Sequence, residues 1–570
     1  MEQLARRIAV ARGDEPADLV LKGGRVVSVH TGTIMECEVA VAGGEVAALG
    51  SGYAGRTVID LHGAFLAPAF IDAHIHIESS MATPRQFARA VVPRGTGTVV
   101  ADPHEIANVH GMDGVRWMLE AARGLPLNIE IMAPSCVPAT HLETAGAALS
   151  PEDIAALLAL PGVLGLAEMM NFPGVIHRDP AVLAKLAAAG ARSIDGHAPG
   201  LAGRDLAAYA AAGIQTDHEC TTRGEAEAKL ALGMRVMIRE GSSARNLAAL
   251  VRGVTPANAR QWLLCSDDRT PADLLHEGHV DFLLRRCVAE GLDAMTALQM
   301  ATLNAAEHFG LADRGAIAPG RRADFAVLED LVDFKVRQVF RAGRLVAEDG
   351  RLLEEPAAGP PPPAGGMNLG ALAAHPFAIP DRGAARVRVI LAQGDQLLTG
   401  ELIETPRREA GYLVADPARD LLKLAVVERH RGTGDVGLGF IRGFGLARGA
   451  LASTVAHDSH NLIILGASDR AMEVALAAMR ELGGGKLVAD EEGVLAALPL
   501  PVGGLMSDAP IEDTAAGLER LAAAARALGC VLPEPFMTLS FMALPVIPRL
   551  KLTDKGLVDV ERFSGADLEV

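Results

Sequence analysis

The string Phe70-Ile71-Asp72-Ala73-His74-Ile75-His76 puts two histidines at alternate positions at the end of an apolar run. Alternate side chains of a strand share a face, so His74 and His76 can grip one ion while Ile75 packs the other way. Alone, an H-x-H is weak evidence. It gains weight from seven later apolar runs that also end in polar residues. These are Asp102 and His104 after 97–101, Cys136 after 129–133, Glu168 after 163–167, His197 after 193–196, His218 closing 215–218, Arg239 and Glu240 after 236–238, and Asp267 after 262–266.

Imidazole suits zinc, manganese and iron(II), and carboxylate raises the preference for the harder ions. On this reading His74, His76 and Asp267 hold one ion, His197 and His218 hold a second, and Glu168 bridges them through its two oxygens. Two such ions lower the pKa of a shared water enough to give hydroxide near neutral pH, and they polarise the group under attack. That chemistry is hydrolytic. An isolated strand-end histidine is more often a hydrogen-bonded core or rim residue, but four histidines and two acids at matching strand ends are poorly explained by independent accident. His104 and Glu105 stay open between substrate contact, a further ion and ordering of their loop. Arg239, Glu240, Ser242 and Asn246 are candidates to line the pocket, with a structural salt bridge at the seventh run as the alternative. Cys136 and Cys265 read as packing residues, since neither has an activating base nearby in sequence.

Something must hold these residues on one rim. Between the runs lie alanine- and leucine-rich stretches at 151–160, 181–189, 226–232 and 272–290, with apolar residues at helical spacing. Eight strands alternating with helices predict an α/β fold, a (β/α)8 barrel over 67–312 with its active site at the C-terminal strand ends. Residues 18–66 are short β-rich runs broken by glycines, and the texture returns at 320–352. A split β-sandwich domain is expected, its first part at 1–66 and its second at 313–355. The run Glu354 to Gly366 is too rich in proline and glycine for a helix or central strand, so 356–374 reads as a linker. An additional C-terminal α+β domain is expected over 375–570. Its string His457-Asp458-Ser459-His460-Asn461 is either a polar turn or, if the domain folds over the barrel mouth, part of the site. Adjacent residues in one turn do not make a Ser-His-Asp triad, and no G-x-S-x-G elbow accompanies them.

A chain of 570 residues is too long for one core. No window is long and uncharged enough to span a bilayer, so no membrane association is expected. The N-terminus lacks an apolar stretch of the secretory kind, and six scattered cysteines show no framework spacing; a cytoplasmic location is expected. The formal charge of −17 disfavours nucleic acid and leaves a small neutral or cationic substrate the more comfortable partner.

The order of these residues resembles the amidohydrolase superfamily. Longer strings look like the bacterial adenine deaminase family: FIDAHIHIESSM from Phe70, DPHEIAN from Asp102, GLAEMM from Gly165, GHAPG from Gly196, MIREGSSARN from Met237 and LCSDDR from Leu264. HDSHN and Leu544 to Pro548 match that family's extra domain. The resemblance implies conversion of adenine to hypoxanthine and ammonia at a binuclear centre of two divalent ions, iron(II) or manganese with zinc possible, in a homodimer. It implies metal ligation by His74, His76, Glu168, His197, His218 and Asp267. Asp267 is then expected to move the proton of the attacking water to the leaving amine, with Glu168 as bridge and donor to N1 and Glu105 in reserve. Glu168 stands where a carboxylated lysine commonly bridges the metals, and His197-Ala198-Pro199-Gly200 lacks the acid that mononuclear deaminases carry there. The cytidine-type zinc deaminases are excluded because the chain has no C-x-x-C. Two other readings remain: a metal-dependent hydrolase of a cyclic amide or imide, and a metal-binding protein that kept the barrel but lost catalysis. Retention of all six ligands argues against the second. HDSHN is expected near the barrel mouth, helping to close the pocket.

Overall fold

The computed structural model describes residues 1–394 and 398–570. The eight runs form eight strands, β1 (Phe70–Ile75), β2 (Thr96–Ala101), β3 (Asn128–Ala133), β4 (Val163–Met169), β5 (Ile194–Gly196), β6 (Thr216–Asp217), β7 (Arg235–Arg239) and β8 (Trp262–Cys265). Strands β1 to β5 pair in chain order, and so do β6 to β8. Backbone bonds close both seams into one ring: Gln215 N–H donates to the Ile194 carbonyl at 2.9 Å, and Asp267 N–H to that of His74 at 3.0 Å.

Alternation along the strands sorts the side chains. Ile71, Ala73, Val100, Met132, Ala167, Met237, Leu263 and Cys265 fill the barrel interior. Val236, Ile238, Trp262 and Leu264 face outward onto the surrounding helices. The ends of β1 and β4, which carry His74 and Glu168, break this alternation. A register irregularity lies between Asp72 and Ile75 where β1 meets β2, and another between Leu166 and Met169 where β4 meets β5. An irregularity of this kind shifts the phase of a strand. Ala73 and His74 can therefore both face inward, as can Ala167 and Glu168.

Strands from both sides of the barrel pair in one seven-stranded sheet, with Leu66 opposite Val327. Its apolar face meets a four-stranded sheet from residues 17–60, packing Val26, Leu66, Phe325 and Phe340 against Leu19, Leu21, Val39 and Val41. Residues 356–378 contain no helix or strand, yet the segment is tied down. The Pro356 and Pro360 carbonyls accept from Arg85 and Trp117, and the Gly366 carbonyl from Arg429.

Beyond it, an eight-stranded sheet built from residues 387–499 carries the helix Asp469–Leu482 on one face. This part of the chain docks on the barrel loops that follow β1 and β3. Thr83 donates to Asp508 at 2.6 Å, Thr553 to the Leu142 carbonyl at 2.7 Å, and Asn461 to the Thr144 carbonyl at 2.8 Å. Among the described residues, no helix is long and apolar enough to cross a membrane.

Candidate active site

The C-terminal strand ends bring the six expected ligands together. His74 Nε2 and His76 Nε2 are 3.2 Å apart, and Asp267 Oδ1 lies 3.6 Å from the first and 3.2 Å from the second. Glu168 turns its two oxygens to different partners. Oε1 is 3.4 Å from His76 Nε2, while Oε2 is 2.7 Å from His197 Nδ1 and 3.1 Å from His218 Nε2. The His74 and His218 rings stack with centroids 4.1 Å apart. Asp267 adopts a left-handed backbone, φ 56°, which aspartate tolerates better than most residues.

This donor set fits divalent cations. Nitrogens bound to one ion at its usual bond length sit about 3.3 Å apart in a tetrahedral arrangement, close to the spacing of the two β1 histidines. A carboxylate whose oxygens face two separate histidine groups suits a bridge. Burial pushes the Glu168 carboxyl up, but the charge and hydrogen bonds of His197 and His218 outweigh it and hold Glu168 well below the usual range. Asp267 is likewise held well below, burial being outweighed by hydrogen bonds to His74 and His76 and by the Arg239 charge. Both acids are therefore ionised and offer their oxygens to cations.

Around the six stands a ring of further polar groups. Arg239 reaches inward from β7, in phase with Met237, and donates to Asp267 at 2.9 Å and to Glu219. Sequence reasoning missed Glu219. Its Oε1 lies 3.7 Å from His197 Nδ1 and 3.6 Å from His218 Nε2, and the available signal was its place directly after His218, beyond the short strand β6. His104 Nδ1 is 3.1 Å from Asp102 and 3.4 Å from Glu168. Burial disfavours its charge, but Asp102 and then Asp458 prevail over burial and the opposing His76, raising it to about 10. Glu105 is buried 3.4 Å from Ser79 Oγ, which donates at 2.5 Å to Asp268, a second acid the sequence reading passed over.

Glu240, Ser242 and Asn246 are not brought to this cavity, and alternation explains the first. With Arg239 facing in, Glu240 faces out. It accepts from the Leu247 N–H at 3.1 Å and lies 3.6 Å from Arg286 on the outer helix Val280–Ala289. Ser242 donates to Asp273 and accepts from the Thr270 N–H at 2.9 Å, joining two loops. Asn246 stands at the start of the short helix Leu247–Leu250, its N–H on the Arg239 carbonyl at 3.0 Å. Cys136 and Cys265 are buried, and burial pushes both thiols up.

The opposite wall comes from the C-terminal region. His457 Nδ1 lies 2.9 Å from Glu105 Oε1, and the His457 ring stacks on Phe541 with centroids 4.6 Å apart. Asp458, Phe541, Leu544, Val546 and Ile547 line the same cavity as His76, Glu168, His197 and Asp267. The apolar side chains Phe541, Leu544, Val546 and Ile547, with the polar His457 and Asp458, thus form a roof that faces a charged floor.

Comparison with known proteins agrees with this composite cavity. The amidohydrolase family model matches residues 65–346, and the adenine deaminase C-terminal domain model matches 396–564. An adenine deaminase of Desulfatibacillum aliphaticivorans is 53% identical over 98% of this chain and 99% of that protein. The chain belongs to the adenine deaminase family. Adenine deaminases of Methanothrix thermoacetophila, 50% identical over 98% of both chains, and of Cereibacter sphaeroides strain KD131, 48% identical over 98% of this chain and 99% of that one, agree over the same length. The floor of the cavity lies in the first matched region and the roof in the second. The adenine deaminase C-terminal domain is thus part of the site's wall.

Proposed function

We infer that the chain is a metal-dependent aminohydrolase that converts adenine and water to hypoxanthine and ammonia. The observation that carries this reading is the convergence of His74, His76, Glu168, His197, His218 and Asp267 under an apolar roof, in a chain of the adenine deaminase family. Those six residues would hold a pair of divalent cations. When bound, the ions would lower the pKa of a shared water and polarise the carbon it attacks. Iron(II) or manganese is the proposed identity, because two carboxylates join the imidazoles.

The remaining chemistry belongs to the side chains. Asp267 takes the proton of the attacking water and returns it to the exocyclic amine, which leaves as ammonia. Arg239 holds Asp267 in place from the side away from the histidines. Addition at C6 puts electron density on N1, so that nitrogen must gain a proton. This role is assigned to Glu168, which must first take up the other proton of the attacking water and then pass it to N1, with Glu105 next along the wall. The apolar roof excludes bulk water while charge develops. A homodimer is proposed on family resemblance alone.

Ammonia release from aminopurines and cyclic amides tests the reading, using protein reconstituted with manganese or with iron(II) under exclusion of oxygen. Ammonia and hypoxanthine in equal amounts from adenine are expected. Ring-opened acids from the amides, with adenine untouched, would replace it with the cyclic amide alternative.

A further inference from the structure

Three polar atoms on the cavity-lining residues are buried and lack a hydrogen-bond partner among the described residues: Arg239 Nε, Glu105 Oε2 and Asp458 Oδ2. Leaving a buried donor or acceptor unsatisfied costs about 1–3 kcal/mol, so each calls for a partner from substrate or water in the cavity. Arg239 is already anchored by its other nitrogens to Glu219 and Asp267, and Glu105 Oε2 lies 3.7 Å from His460 Nε2. Asp458 differs. It is 4% exposed, Oδ1 has distant imidazoles, His457 Nδ1 at 3.9 Å and His104 Nε2 at 4.0 Å, the buried Glu143 carboxyl acts on it only through its charge, and Oδ2 has no hydrogen-bond partner among the described residues. It comes from the roof, separated from Glu168 by the His104 ring, whose Nδ1 lies 3.4 Å from Glu168 Oε1.

On the adenine reading above, on which this inference rests, the substrate itself offers the partner. Adenine has two hydrogen-bond donor groups. One is the exocyclic amine, which must sit on the floor to leave as ammonia. The other is the single N–H of its five-membered ring, on the far edge from the amine. An unpaired acceptor across the cavity from the floor meets that second donor. We propose that Asp458 is a specificity-determining residue that accepts the imidazole N–H of the purine and so selects the free base over N9-substituted bases such as nucleosides. The loop that carries it is built to stay in place. Arg429 donates to the carbonyls of His460, Gly366 and Gly503, and the Asn461 side chain bonds Thr144 across the domain seam.

The test is calorimetric binding of hypoxanthine and of 9-methylhypoxanthine, which lacks the imidazole N–H, to metal-loaded wild type, Asp458→Ala and Asp458→Asn. Wild type is expected to bind hypoxanthine at least about tenfold more tightly, the size of one hydrogen bond to a charged group. In Asp458→Ala, hypoxanthine should weaken by about that factor while 9-methylhypoxanthine stays within about threefold. Asp458→Asn, which keeps the volume and loses the charge, should fall between. Equal weakening of both ligands at full metal content would assign Asp458 a structural role. Tightening of the methyl analogue alone would make it a steric gate, and unchanged affinities would mean that water satisfies Oδ2; each overturns the proposal. Because binding is read without turnover, absence of ammonia from adenine would defeat the deaminase reading separately.

Discussion

The floor and the roof of the cavity are built by opposite means. The floor is backbone-driven: each candidate ligand sits at the end of a barrel strand, held by the ring of ladder hydrogen bonds, and two phase shifts in β1 and β4 aim the side chains. The roof is a set of loops, His457 to Asn461 and Phe541 to Ile547, placed by docking onto the loops after β1 and β3. Groups that must hold cations within tenths of an ångström belong on the barrel strands, whereas the roof groups, fixed by side-chain bonds across the docked loops, stand where a substrate would be covered. Substitutions on the floor should therefore abolish turnover, and those on the roof should mainly change binding.

The largest break is expected at Glu168. Glu168→Ala removes the oxygens that face both histidine groups, so bound metal should drop on elemental analysis and kcat should fall by at least about a thousandfold with the loss of water activation. Next comes Asp267→Asn, which keeps the volume and one oxygen but cannot take a proton. With metal content intact, kcat should fall about 10²–10⁴-fold. Near-native turnover at full metal occupancy would remove Asp267 from the proton path.

The sequence carried the floor in its strand ends. Period-two alternation and eight apolar runs picked out six candidate ligands, and the β/α rhythm set them at one end of a barrel, where the structure brings them together. That same alternation, followed one residue further, turns Glu240 outward, and its contact with Arg286 matches the structural reading that the sequence had left open beside the pocket reading. Glu219 and Asp268 were hidden by their neighbours, since each follows a ligand immediately and strict alternation would turn it away. The roof was legible only as conspicuous strings. Phe541 to Ile547 is an ordinary apolar stretch, and its position over β1 depends on contacts between residues more than 400 apart in the chain, such as Thr83 with Asp508 and Thr144 with Asp554.

A smaller effect is expected on the roof itself. His457→Ala removes the partner 2.9 Å from Glu105 and the ring stacked on Phe541. Catalytic efficiency on adenine should fall about tenfold, as for loss of one hydrogen bond to a charged group, mostly through KM and without loss of metal. An unchanged KM, or an emptied metal site, would erase the division between floor and roof.

The smallest effect sharpens the comparison from outside the cavity. Glu240 and Ser242 sit on the same rim as Arg239, so a site made by the whole rim would need them, whereas a site made only by inward side chains would not. Glu240→Gln keeps the acceptor for the Leu247 N–H and loses only the charge 3.6 Å from Arg286. Ser242→Ala breaks the bonds to Asp273 and Thr270, which join two loops away from the metal ligands. Both variants should keep kcat and KM for adenine within about twofold while losing about 1 kcal/mol or less of stability, visible as a small drop in Tm. A tenfold rise in KM for either would mean that the loop after β7 reaches the substrate after all, and the inward-facing definition of the site would have to be widened to include it.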